Sequence, residues 1–262
     1  MKYHKSYLVT AFALLLGAPL SASLVLEEYF HPDDFSGNIG ANAGWDNSTN
    51  NLQFHRENLS FNNAGYRMGG NEDTGLAQTT GGFPRGSSTA LDSSPSGEFW
   101  FSALHKRVTN GEGGQGEYTF FSLGEGNDIN PDNGTFANST AFGIYNDEGT
   151  LRPFIQTGRI STWDAGPESG SEVNQDETYL ILARGNTSRN NLDVWFFAQR
   201  DRVPGKVEDL PEPTVSTSAA NFGELSRLWF GKTGEANFSQ FDAIRLTRLS
   251  NDEGLQAVTT VP

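Results

Sequence analysis

The chain has 262 residues, enough for one large all-β domain or two small domains. It carries 32 acidic and 18 basic residues, a net charge of -14, which argues against nucleic-acid binding because that binding depends on cationic side chains that displace phosphate counterions. The chain has no cysteine, which excludes disulfides, thiolate metal sites, iron–sulfur clusters and a cysteine nucleophile.

Residues 1–23 have the pattern of a secretory signal peptide. Lys2 and Lys5 precede an almost wholly apolar stretch at 8–16, and small residues follow at 21–23. The alternative, an uncleaved membrane anchor, would need about 20 apolar residues, more than this segment provides. We therefore expect export to the medium or the cell surface, with no transmembrane segment in the mature chain. Cleavage removes both lysines and changes the net charge from -14 to -16.

Short runs typical of β-strands follow, separated by Gly, Asn, Asp, Ser and Pro. No 12-residue window free of Gly and Pro has convincing helical spacing of apolar residues. The pattern predicts one all-β domain over residues 24–249, an antiparallel jelly-roll sandwich, followed by a C-terminal tail at 250–262. The predicted strands cover residues 24–30, 97–108, 117–123, 141–145, 151–156, 177–184, 191–199, 227–231 and 240–249.

The connecting segments have the composition of turns and loops. Residues 47–63 are rich in Asn, and residues 68–96 are rich in Gly, Thr and Ser, which predicts long surface loops with at most weak strands inside them. The segment 204–213, which contains several prolines, follows a strong predicted strand. Residues 218–225 are expected to form one short helical turn.

Several segments occur in a recognisable order: EEYF at 27–30 with IGANAGW at 39–45, FWFSAL at 99–104, YLILAR at 179–184, LDVWF at 192–196 and FDAIRL at 241–246. This order resembles that of certain secreted bacterial proteins with a concanavalin A-like (laminin G-like) jelly roll, which often carry a C-terminal PEP-CTERM sorting tail. The resemblance implies the fold and export, and no activity, because the family is mostly uncharacterised in function. The sequence ends without the family's apolar helix and basic cluster, which leaves two alternatives: a member without this anchor, or a chain whose tail is missing.

No recognisable catalytic apparatus is present in the sequence. Glycosidases need two carboxylates on either side of the scissile bond, and the acidic residues in the predicted strands are each isolated on different strands. His105, Lys106 and Arg107 at a strand end could neutralise a uronate, but an end reaching into solvent is the favoured interpretation. A polysaccharide-degrading glycoside hydrolase or lyase of the jelly-roll type remains the alternative.

One loop has the donor pattern of a calcium site. Asp128, Asn130 and Asp132 place oxygen donors at alternate positions, as loops that bind hard cations do. The spacing differs from an EF-hand, which requires Gly at the sixth position and Glu at the twelfth. The alternatives are a different calcium loop and an ordinary Asp/Asn turn.

Tryptophans provide the candidate ligand-binding residues. Trp100, Trp195 and Trp229 lie within predicted strands and are expected in the core. Trp45 and Trp163 lie in predicted loops, where they could stack on sugar rings or plug an open end of the sandwich. The sequence thus predicts a secreted, non-catalytic extracellular binding or cell-envelope structural protein, with polysaccharide or cell-envelope components as partners.

Overall fold

The computed structural model describes most of the chain after residue 23. In this part of the chain, no helix is long and apolar enough to cross a membrane. The described residues are 24–30, 45–47, 52–56, 59–63, 66–68, 76–79, 85–91, 95–109, 117–125, 138–158, 172–233 and 237–260.

The larger sheet has eight strands. Its order is β14-β13-β12-β8-β16-β6-β3, and β1 pairs with β16 beyond the end of β6. All its pairings are antiparallel. Its strands are β1 (Leu24–Glu28), β3 (Leu52–His55), β6 (Leu76–Thr79), β8 (Glu98–Thr109), β12 (Thr178–Asn186), β13 (Asn191–Ala198), β14 (Val215–Thr217) and β16 (Asn237–Thr247).

The second sheet has six strands in the order β11-β10-β9-β15-β7-β2, again antiparallel throughout. A separate two-stranded sheet joins β4 (Phe61–Asn63) to β5 (Tyr66–Met68). The predicted all-β antiparallel jelly-roll sandwich is confirmed by these sheets. The six strands are β2 (Asp46–Asn47), β7 (Arg85–Ala90), β9 (Tyr118–Gly124), β10 (Ser139–Asp147), β11 (Thr150–Thr157) and β15 (Arg227–Lys232).

Apolar side chains fill the space between the two sheets. Side chains alternate between the two faces of a strand, so every second residue points inward. In β9, Phe121 and Leu123 belong to the inner core, whereas Tyr118 and Phe120 belong to a separate cluster, as the alternation predicts. The inner core includes Phe99, Phe101, Phe142, Ile181, Leu228, Phe230, Phe241 and Leu246.

Two further apolar clusters lie on the outer faces of the sheets. Trp100 and Trp195 stack on the outer face of the eight-stranded sheet, with ring centroids 6.2 Å apart. Trp229 joins Tyr118 and Phe120 on the outer face of the six-stranded sheet. All three tryptophans are buried, which confirms the expectation that they pack in apolar clusters. The sandwich therefore contains more than one apolar layer.

A nine-residue helix, α1 (Asn251–Thr259), covers part of the outer face of the eight-stranded sheet. Leu255 and Val258 pack into the same cluster as Trp100. The Ser102 hydroxyl donates a hydrogen bond to the Val258 carbonyl oxygen at 2.6 Å. The segment after residue 249, which the sequence analysis treated as a tail, thus forms a helix against the sandwich.

Other differences concern short elements. Strands β2 to β7 lie in the part of the chain where long loops were expected. The short helical turn predicted at 218–225 is wrong. In that range the structure has only a hydrogen-bonded turn at Gly223 and Glu224. A 3₁₀ helix, Val207–Asp209, lies within the segment between β13 and β14.

Candidate functional site

A pocket lies at the edge of the eight-stranded sheet, beside the second half of β13. Strand β12 pairs with β13 from Asn191 to Ala198, whereas β14 pairs only with Leu192, Asp193 and Val194. The segment 199–214 leaves β13 and returns to the start of β14. Together with β13 it forms an open pocket of about 400 Å³ lined by Trp195, Phe196, Phe197, Arg200, Asp201, Arg202, Pro211, Glu212 and Thr214.

Hydrogen bonds from β13 fix both walls of this pocket. The Trp195 indole Nε1 donates to the Pro211 carbonyl oxygen at 2.8 Å, and the Phe196 amide donates to the Thr214 hydroxyl at 3.1 Å. On the other wall, the Ala198 amide donates to the Asp201 carboxylate at 2.7 Å. The strand therefore holds the segment at three points, and the pocket is formed before any ligand arrives.

Helix α1 supports the same segment from behind. The Val207 amide donates to the Asp252 carboxylate at 2.8 Å, and the Gln256 side chain donates to the Gly205 carbonyl oxygen at 3.3 Å. Val207 and Leu210 also pack against the apolar cluster that contains the helix. The position of the segment between β13 and β14 thus depends on α1.

The pocket combines free cationic groups with carboxylates. Arg200 and Arg202 are exposed, and among the described residues neither has a carboxylate partner. The Asp201 carboxylate is committed to the Ala198 amide. Glu212, in the returning part of the segment, is also exposed. The pocket lining therefore offers both guanidinium donors and a carboxylate acceptor.

A row of charged residues continues from the pocket across the outer face of the sheet. Asp193 lies opposite Arg184 in the β12–β13 register. Arg184 pairs with Glu98 at 2.8 Å, and its guanidinium lies 5.4 Å from the centre of the Trp100 ring. Burial raises the pKa of Asp193; Arg184 opposes this increase, and the negative charge of Glu212 adds to it. Glu212 thus electrostatically couples the pocket to this row.

Glu98, in the same row, is held in its charged form. Burial alone would raise the pKa of its carboxyl, but hydrogen bonds from the Arg184 guanidinium and the Asn251 amide outweigh burial, and the pKa lies below its ordinary value. The Asn251 amide donates to this carboxylate at 2.7 Å. Because amides at the start of a helix lack partners within the helix, Glu98 also anchors the start of α1.

Trp45, a predicted ligand-binding residue, lies inside the sandwich. Its side chain is 5% exposed, and its ring centroid lies 6.0 Å from that of Phe30 and 5.0 Å from that of Phe230. Its Nε1 donates to the Glu28 carboxylate at 3.0 Å. This placement matches the packing alternative and leaves no open ring face for a sugar.

The other predicted site residues lie outside the described residues. Trp163 and the proposed calcium ligands Asp128, Asn130 and Asp132 belong to this group. Among the described residues, no group of three or more His, Asp or Glu side chains could hold a metal ion. The calcium loop and the Trp163 site stay predictions.

The interpretation of His105 and Arg107 as a solvent-exposed strand end is wrong, and so is their alternative use as an accessible uronate site. Both residues are 1% exposed and lie between the sheets. Burial lowers the pKa of His105 to about 3, with a further contribution from Arg107, so the imidazole is neutral. Arg107 instead pairs with Glu117 at 3.4 Å. Burial lowers the pKa of Arg107 to about 10, although Glu117 opposes this shift.

The sequence analysis did not identify Arg200, Arg202 and Glu212 as candidate site residues. A local signal exists: two arginines flank an aspartate directly after the apolar strand 191–199, and a segment containing several prolines follows. The pattern does not show that the returning segment forms a wall opposite these arginines.

No protein-family model matches the sequence, and no curated protein matches it. Among solved structures, lectin II from Ulex europaeus matches 86% of this chain and 99% of its own, at 13% identity and a TM-score of 0.49. The VIP36 exoplasmic/lumenal domain, in a Ca2+/Man3GlcNAc-bound form, matches 84% of this chain and 92% of its own, at 11% identity and a TM-score of 0.47. A sialidase matches 85% of this chain, which corresponds to 19% of the sialidase, at 12% identity and a TM-score of 0.47. With such identities and TM-scores, these likenesses carry no argument about a ligand or reaction of this chain.

Proposed function

We propose that the protein is a secreted, non-catalytic binding protein that holds an extracellular polysaccharide in the pocket between β13 and the segment 199–214. The observation that carries this proposal is an open pocket of about 400 Å³ whose lining includes both guanidinium groups and carboxylates. Its size falls in the range of about 300–1,000 Å³ that is usual for small-molecule sites.

The chemistry of the lining suits a sugar. Sugar hydroxyls both donate and accept hydrogen bonds, so they pair well with a carboxylate acceptor such as Glu212 and with guanidinium donors such as Arg200 and Arg202. These groups are exposed and reachable from solvent. Because hydrogen bonds from β13 already fix the walls, a ligand does not have to order them on binding.

We propose an extracellular location, which the signal-peptide pattern at 1–23 supports, and a polysaccharide of the medium or cell envelope as the partner. Expression of the full chain in a secreting bacterial host tests export. We expect the protein recovered from outside the cytoplasm to begin near residue 23 or 24, as read by N-terminal sequencing. An intact Met1 on protein that stays in the cytoplasm would contradict export.

Substitution of Glu212 by Trp tests the pocket itself. The residue is exposed on the pocket wall, so the indole is expected to fill the pocket without disturbing the core. Glycan-array screening followed by titration calorimetry should show a glycan that binds the native protein and not Glu212→Trp. Glu224→Trp is the matched control, because Glu224 is also exposed and does not line the pocket. Equal binding by both variants, or no glycan binding by the native protein, would overturn the proposal.

A polysaccharide-cleaving enzyme is the second candidate, because one observation favours it. Burial raises the pKa of Asp193, and the negative charge of Glu212 adds to this increase. Glycoside hydrolysis uses a carboxyl group with a raised pKa as the general acid, together with a second carboxylate. Incubation with alginate, laminarin and other acidic and neutral glycans, followed by a reducing-end assay, separates the candidates. Turnover that Asp193→Asn abolishes would replace the binding proposal with the enzymatic one.

A further inference from the structure

We infer that the ligand of this pocket is an anionic glycan, whose carboxylate or sulfate groups are bound by Arg200 and Arg202. This inference rests on the proposed function of the pocket and adds the charge class of its ligand. The juxtaposition that carries it is two exposed arginines, without carboxylate partners among the described residues, on the wall of a preformed cavity.

The availability of these two arginines is the first argument. Carboxylates outnumber basic residues in this chain by 32 to 18, so a cation can readily find a partner. Several arginines do so: Arg107, Arg152, Arg184 and Arg245 pair with Glu117, Asp147, Glu98 and Glu27 respectively. Arg200 and Arg202 lie beside Asp201 and still make no such pair within the described part of the chain.

The reason lies in the turn between them. Asp201 accepts a hydrogen bond from the Ala198 amide through its carboxylate and donates its own amide to the Ala198 carbonyl oxygen at 2.9 Å. Its side chain therefore serves to close the turn after β13. The two guanidinium groups remain available to a ligand, and the closed turn fixes the backbone that carries them.

The arrangement of charge within the pocket gives the ligand a polarity. The arginines follow β13 directly, whereas Glu212 lies on the returning wall next to Pro211, whose carbonyl oxygen accepts a hydrogen bond from Trp195. An anionic group therefore belongs at the arginine wall, where guanidinium groups bind carboxylate or sulfate through paired hydrogen bonds. Hydroxyls of the same sugar can donate to Glu212.

The net charge of -14 does not oppose this inference. At physiological ionic strength, exposed charges farther away than about 8 Å are largely screened. The lining itself carries two guanidinium groups and two carboxylates, so the attraction for an anion comes from direct contact with Arg200 and Arg202 and not from the charge of the whole pocket. Binding of an anion should weaken as salt is added, whereas binding of a neutral glycan through hydrogen bonds should change little.

Titration calorimetry of the full protein with three oligosaccharide classes tests the inference. The probes are oligogalacturonate, which carries carboxylates, sulfated carrageenan oligosaccharides, and neutral laminarin oligosaccharides. We expect binding of an anionic probe and none of laminarin, and the preferred anionic probe identifies carboxylate or sulfate as the bound group. Arg200→Ala and Arg202→Ala should each weaken binding by about tenfold or more, the usual consequence of losing a charged hydrogen bond.

Two controls separate a specific site from general attraction. Arg189→Ala removes an exposed arginine outside the pocket lining and should leave the affinity unchanged. Arg200→Lys keeps the charge but loses the paired donors, so it should bind more weakly than the native protein. Circular dichroism verifies that each variant is folded.

The failures of the two proposals are distinguishable. Laminarin that binds the native protein as tightly as the anionic probes, and is lost in Glu212→Trp, would overturn the anionic class and leave the pocket in place. Unchanged anion binding in both arginine variants would also overturn the inference. No binding of any probe or array glycan would overturn the proposed function with it.

Discussion

Asp242 is a carboxyl group buried at an irregularity of β16. The strand's register with β8 shifts between Asp242 and Arg245, and Ala243 has a φ of 51°. The Asp242 carboxylate accepts hydrogen bonds from the Ala243 amide at 2.6 Å and from the Leu59 amide at 3.0 Å. Bulges leave backbone groups without hydrogen-bond partners in the sheet. The Asp242 side chain provides a partner for one of them, the Ala243 amide, and its hydrogen bond from the Leu59 amide holds the chain before β4.

The stability of the protein should depend on pH through this residue. Burial raises the pKa of Asp242 to about 8, although hydrogen bonds from Leu59 and Ala243 oppose the shift. An unfolded aspartate titrates near pH 3.9, so between these values the folded state holds the additional proton. The stabilisation from this group is therefore complete at low pH and lost as the pH rises toward 8.

Urea unfolding at a series of pH values measures this effect. The difference in unfolding free energy between the native protein and Asp242→Asn should fall as the pH rises from about 5 to about 8, by at most about 1.4 kcal/mol per pH unit. Asp209→Asn, at an exposed residue, is the control substitution. A difference that stays constant with pH would contradict the assignment.

Helix α1 is the element that links the sheet to the pocket. Gly254 allows the close approach, since a β-carbon there would lie 2.2 Å from the Leu249 carbonyl oxygen and 2.2 Å from Cδ1 of Trp100. In an exposed helix, replacing glycine by alanine stabilises by about 1 kcal/mol. Here the clash should dominate.

We therefore expect Gly254→Ala to lower the free energy of unfolding by about 1–3 kcal/mol, as overpacking does. Denaturant unfolding is the measurement, and Glu253→Ala at the exposed neighbour should have little effect. Because α1 holds Val207 through Asp252, the variant should also weaken glycan binding. Increased stability would show that the helix does not pack on Trp100 in this way.

The predictability of the elements depended on how much apolar surface each strand carries. Apart from the three-residue strand β14, which was not predicted, the strands from β8 onward have apolar residues in an alternating or continuous pattern and were identified from the sequence. Strand β7, with the sequence RGSSTA, is built from small polar residues, and Ser87 and Ser88 are buried because neighbouring strands cover them. Neither this strand nor α1, which has a glycine in its middle, has a local pattern that reveals it.

At the scale of the whole molecule, an acidic chain without cysteine folds around several apolar layers. The burial of His105 and Arg107 shows why charge patterns alone mislead: alternation placed them on one face of β8, but only the packing of the second sheet decides that this face is interior. The pocket is also not visible in the local sequence. Residues near the start and the end of the segment 199–214 line it together, and β13 and α1 set the path by which this segment returns.

The predicted calcium loop is testable on the whole protein. A cation that binds only the native state must raise its stability, so the melting temperature should rise with added calcium and fall with chelator. The Asp128→Asn and Asp132→Asn double variant should remove this response. A melting temperature that is the same in calcium and chelator would contradict a calcium site at Asp128, Asn130 and Asp132.

The most direct test of the proposed function is a crystal structure of the protein with the oligosaccharide that binds it most tightly. We predict that the sugar occupies the cavity between β13 and the segment 199–214. Its anionic group should lie within hydrogen-bond distance of Arg200 or Arg202, and its hydroxyls near Glu212. A sugar bound elsewhere, for example at Trp163, with this cavity filled only by water, would contradict the proposal.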